Sequence, residues 1–222
     1  MYYTQMHPTT PIPYARDDHR IIKVYGVGSV SAAPDQAIIT LGVVTENPNL
    51  QTAQAENNQA MTQVIQSLLT LGVPKENMKT VTYRVEMQYD YDDGKQTLRG
   101  YSVTHLLQVT IDQIEQTGRI VDTATANGAN TVTDIRFTLT QPEAYYNQAI
   151  SLAIHNAQQK AVVIAQTLGV HAGKAPTRII ERSGTAVPPP SETSLYAKSA
   201  PSPIQPGELK ISAEVEAEYA YF

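Results

Sequence analysis

The chain switches repeatedly between stretches whose apolar residues recur every second position and stretches where they recur every third or fourth. The clearest period-two segment sets Val81, Tyr83, Val85, Met87, Tyr89 and Tyr91 against Thr80, Thr82, Arg84, Glu86, Gln88 and Asp90. Such alternation predicts a strand with one face toward a core and the other toward water. Asp92-Asp93-Gly94 reads as a turn, because glycine supplies the positive φ of a tight reversal. The return strand then carries Tyr101, Val103, His105, Leu107, Val109 and Ile111 on one face. Ahead of this pair, residues 50–71 have helical spacing through Ala53, Asn57, Ala60, Met61, Val64, Ile65, Leu68 and Leu71. Gly72 and Pro74 stop that helix.

Two strands are expected before it, at 21–32 and 36–46, with the short Ala33-Pro34-Asp35 between them suggesting a hairpin. After the return strand come a helix at 114–127, a strand at 131–139 and a long helix at 142–168. Pro142 suits a first helical turn. Ala149, Ala153, Ala157, Ala161 and Ala165 form a row on one ridge of that helix, where a neighbouring element can approach the backbone closely. Strands at 176–183 and 209–222 complete the count.

From the second strand on, the order strand, helix, strand, strand, helix, strand is the split pattern of ferredoxin-like folds. The expected class is α+β: an antiparallel sheet built on a ferredoxin-like β-α-β-β-α-β block, plus a C-terminal α-β-β extension. The expected organisation is a flexible arm at 1–20 and one domain at 21–222. Within that domain, 21–139 holds the ferredoxin-like block with an extra N-terminal strand extending its sheet, and 140–222 holds the long helix and a hairpin. The hairpin's proline-rich loop, 186–207, reads as a mobile tip dispensable for folding.

Charge changes the picture by exclusion. Sixteen basic residues stand against 21 acidic ones, a net of −5, and the basic residues are scattered. Binding along phosphates needs clustered Lys and Arg, so no nucleic-acid partner is expected. No apolar run approaches a membrane span. There is no cysteine, which removes disulfides, thiolate nucleophiles and thiolate metal sites. Residues 1–20 lack the apolar core of a signal peptide, so a cytoplasmic location is expected if the chain is complete, and a periplasmic or envelope location if a leader was removed. The 13 tyrosines suit half-buried positions and subunit contacts.

Candidate chemistry is thin. His7, His19, His105, His155 and His171 show no ligand spacing, and His105 falls on an apolar strand face as a core histidine would. Gly26-Val27-Gly28 lacks the third glycine and the following helix of a dinucleotide fingerprint; a bulge or close backbone approach fits it better. Glu214, Glu216 and Glu218 line one strand face, where a carboxylate row could bind cations, though a solvated face guarding a sheet edge is the plainer reading. Lys160, within the alanine-rich helix, reads as a snorkelling lysine. No catalytic, cofactor-binding or metal-ligating residue is assigned, and no cofactor is expected. The small-molecule ligand, if there is one, stays open.

Seven short motifs occur in order: Gly26-Val27-Gly28, Ala33-Pro34-Asp35-Gln36-Ala37, Glu56-Asn57-Asn58, Gly100-Tyr101, Gly128-Ala129-Asn130, Ala157-Gln158-Gln159-Lys160-Ala161 and Pro206-Gly207. Through them the chain resembles the SIMPL-domain family over about residues 22–221. The resemblance implies an α+β fold, a bacterial envelope or stress-defence setting, and homo-oligomers that in some members are large rings. It brings no catalytic residues. The resulting expectation is a non-enzymatic self-assembling protein with a protective or scaffolding role. The alternative is a ligand-binding or enzymatic protein whose site forms between subunits. An apolar edge strand ending in Tyr219-Ala220-Tyr221-Phe222 is the expected contact surface.

Overall fold

A computed structural model describes residues 20–92, 94–182 and 204–222. The N-terminal arm and most of the proline-rich loop lie outside the described residues. The elements in chain order are β1 (Ile21–Ala32), β2 (Gln36–Asn47), α1 (Leu50–Thr70), β3 (Met78–Asp92), β4 (Lys95–Ile111), α2 (Thr117–Ala126), β5 (Thr131–Thr138), α3 (Pro142–Leu168), β6 (Arg178–Arg182) and β7 (Leu209–Ala220). The fold is α+β, and its strands form two antiparallel sheets, ordered β3-β4-β2-β5 and β1-β7-β6.

The four-stranded sheet is the ferredoxin-like block, with the order that two split βαβ units produce. Asn49 starts α1 by accepting a hydrogen bond from the Thr52 N–H at 3.1 Å. α1 lays Met61, Val64 and Leu68 onto Ile39, Leu41, Val43, Leu107 and Val109, and α2 adds Ile120 and Ala124 to the same core. In the three-stranded sheet, α3 covers one face. Its alanine row is wholly buried against Ile22, Val24, Val215, Ala217 and Tyr219.

Three expectations are corrected. First, β1 neither pairs with β2 nor extends the four-stranded sheet; it pairs with β7 along its whole length. β2 already bonds β4 on one side and β5 on the other, which leaves it no free edge for β1. The Ala33-Pro34-Asp35 segment is therefore a crossing between sheets. Second, β7 is the central strand of its sheet, flanked by β1 and β6, and Tyr219 is buried. From Glu214 onward the C-terminal strand is thus flanked on both sides, and its aromatic end is no open edge. Third, the odd-numbered side chains of β3 do not enter the core: Tyr83, Met87 and Tyr91 are 48, 58 and 74% exposed. α1 and α2 cover β2 and β4, and the outer strand of the block extends past them.

Candidate functional site

The motif residues occupy seams between elements. A Cβ on Gly26 would lie 2.0 Å from the Ala153 carbonyl oxygen and 2.8 Å from the Ala157 Cβ, and one on Gly28 would lie 2.1 Å from the Ala149 carbonyl oxygen. The glycines and the alanine row are therefore two halves of one contact, in which strand and helix backbones touch. Lys160 of the same helix donates to the Tyr25 carbonyl oxygen at 2.6 Å, and the Asn156 Oδ1 accepts from the Val27 N–H at 3.2 Å. Lys160 is thus no free snorkelling charge; with Asn156 it caps the outer edge of β1.

At the crossing between sheets, the Asp35 carboxylate accepts from the Thr140 N–H at 2.7 Å and the Thr140 hydroxyl at 2.8 Å. Asn57, on the apolar face of α1, is fully buried and donates through Nδ2 to the carbonyls of Val43 and Val103, each at 3.0 Å. Its Oδ1 has no partner. Asn130 pairs with Val44 at two points, accepting from its N–H at 2.8 Å and donating to its carbonyl at 2.7 Å. That side chain takes the place of a strand's backbone beyond the start of β5. Gly100 sits under the 47–48 peptide, with a built Cβ 2.8 Å from the Asn47 carbonyl oxygen.

The glutamate row of β7 also differs from its expectation as a solvated edge face. Glu216 is 4% exposed and is paired with both Lys23 of β1 and Arg182 of β6, and Lys23 lies 3.8 Å from Glu218. Hydrogen bonds from Lys23 and Arg182 hold the Glu216 carboxyl down at about 2, and Glu216 in turn raises both cations. The Arg182 guanidinium also lies 5.3 Å over the Tyr25 ring. This cluster ties β1, β7 and β6 together across the face opposite α3.

His105 is half-buried on β4. Tyr83 meets it edge-to-face at 5.3 Å, and the Thr80 hydroxyl lies 3.1 Å from Nε2. Nδ1 has no partner, so this is an incompletely satisfied histidine, and burial pushes its pKa below the ordinary value. His155 uses Nδ1 on the Ser151 carbonyl, and His171 lies beside Phe222. Among the described residues, no three His, Asp or Glu side chains group to hold a metal ion. His7 and His19 lie outside the described residues. Two open clefts lie among the described residues: about 350 Å³ beside Val73, Asn77, Asp112, Gln116 and Ile120, and about 200 Å³ beside Glu46, Gln88, Arg99 and Tyr101. Neither brings together a nucleophile, a base and an oxyanion donor.

What the geometry singles out is packing. The SIMPL family profile, described as a protein of unknown function (DUF541), matches residues 22–219. The chain belongs to the SIMPL family. It is similar to the 26 kDa periplasmic immunogenic protein of Brucella melitensis, 32% identical over 173 residues that make up 76% of this chain and 68% of that one. It is also similar to the uncharacterised protein YggE of Escherichia coli K12, at 30% identity over 63% of this chain and 57% of YggE. The Edwardsiella ictaluri YggE is 29% identical over 80% of this chain and 73% of its own length. In this SIMPL chain the motif residues act as framework: glycine–alanine contacts, a side-chain clasp at Asp35 and a strand-mimicking Asn130. No helix of the described residues is long and apolar enough to cross a membrane.

Proposed function

We propose that this SIMPL protein is a non-enzymatic, self-assembling component of the bacterial envelope, with a protective or scaffolding role. The observation that carries the reading is the exposed apolar face of the hairpin formed by β3 and β4. Val85, Met87, Tyr89 and Tyr91 project there from β3, and Leu98, opposite Tyr89, is 51% exposed. Contiguous apolar surface of this kind on a soluble fold marks an interaction site. The aromatic content, tyrosine with methionine, is that of interface cores. The packing roles of the family motifs support a framework protein over a catalyst. The periplasmic naming of the Brucella relatives supports the envelope.

The test is a double variant on the exposed face, Met87→Lys with Tyr91→Lys. The expected outcome is a native circular dichroism spectrum together with a fall in sedimenting mass toward that of a single chain. An unchanged assembly in both proteins would place the contact elsewhere and remove the hairpin as its basis.

A further inference from the structure

We infer that two copies of this chain join through β3, antiparallel and two-fold symmetric about Val85, so that two four-stranded sheets become one. The inference rests on the self-association proposed above and names the surface and register for it.

Among the described residues the two sheets have four outer strands: β1, β6, β3 and β5. The edge of β1 is closed by Lys160 and Asn156, which occupy the Tyr25 carbonyl and the Val27 N–H. Among the described residues β6 spans 5 positions and β5 spans 8, whereas β3 spans 15. A long strand edge flanked by exposed apolar side chains is a template for another strand unless something blocks it. On β1 the fold supplies such a block. The polar groups on β3 are instead arranged to match a second copy of themselves.

Successive side chains of a strand alternate between faces, so a register that keeps the apolar residues of both copies on one face must pair odd positions with odd. Centring the two-fold axis on Val85 does so. Tyr83 then lies opposite the partner's Met87, a favourable sulfur–aromatic pair. On the other face, Arg84 lies opposite the partner's Glu86, and Thr82 lies opposite the partner's Gln88. Arg84 and Glu86 already pair within one chain at 3.2 Å. Around the axis, two such pairs make four charges of alternating sign. Centring on Arg84 or on Glu86 would instead set like charges face to face, which opposes pairing. Centring on Met87 would set Arg84 opposite the partner's Asp90 but leave Glu86 opposite the partner's Gln88, with no cation. The Val85 register alone among these matches both charges to each other.

The absence of cysteine makes the test clean. Val85→Cys should give a covalent dimer under mild oxidation, because the axis brings the two thiols together. Met87→Cys should not, since its neighbour across the interface is the partner's Tyr83. Arg84→Glu and Glu86→Arg should each weaken association by about tenfold, because each change acts twice in a symmetric pair. The double variant Arg84→Glu/Glu86→Arg should restore most of the loss. Circular dichroism on each variant confirms that the exposed substitutions leave the fold intact. Cross-linking at Met87 rather than Val85, or a double variant no better than the single ones, would overturn this register while leaving self-association standing. A native chain that stays monomeric at every concentration would remove the self-association beneath it.

Discussion

Glu216 shows what one carboxylate can do when two strands converge on it. Its folded pKa of about 2 lies below the ordinary 4.5, so the folded chain holds this proton less tightly than the unfolded one. The stabilisation is therefore complete above about 4.5 and is lost as pH falls from there toward 2. Glu216→Gln should lower the thermal midpoint at pH 7 and flatten its dependence on pH between 4.5 and 2. An equally steep acid limb in the variant would assign it to other carboxylates. His105 is likewise held below its ordinary value, but by burial, which disfavours its charged form. The unfolded chain takes up the proton first, so stability should fall as pH drops from about 6.5, until the folded histidine also titrates. His105→Gln should remove that slope, measured as the urea midpoint across pH 7 to 5. Asn57 is a third such residue. Replacing it with Ala should cost about 1–3 kcal/mol through its two lost donations, as read from urea unfolding. A cost near zero would mean that the two strand carbonyls do not depend on it.

At the scale of elements, the sharpest claim is that β1 and α3 touch backbone to backbone. Ala157→Leu should destabilise by roughly 1–3 kcal/mol, because the added atoms meet the β1 backbone at Gly26, where strand and helix already touch. An unchanged denaturation midpoint would show that the helix can shift away freely. This contact was half legible in the sequence. The four-residue alanine spacing and the paired glycines each pointed to a close approach, but nothing local says that they approach each other. The same limit explains the misplacement of β1. A three-residue Ala33-Pro34-Asp35 link satisfies local rules for a hairpin, and only the occupancy of both β2 edges excludes one. Strand and helix positions, by contrast, follow from side-chain period alone, so α3, β1 and the α1 core face were readable. The seams were not: Asn130 and Asp35 act on residues 86 and 105 positions away. Glu216 reads as one of a solvated row until Arg182 and Lys23 are brought beside it.

For the whole molecule, the question is what this framework of packed sheets and helices is for. Its two sheets bury their inner faces under α1, α2 and α3, one outer edge is capped, and one long hairpin face is left open. That distribution fits a protein whose activity lies in association with its own kind. The most direct test is the molar mass of the native chain by light scattering across a wide range of concentration. The account predicts a mass that is an even multiple of 24.3 kDa and is held down to low micromolar chain. A mass of 24.3 kDa at every concentration would contradict it.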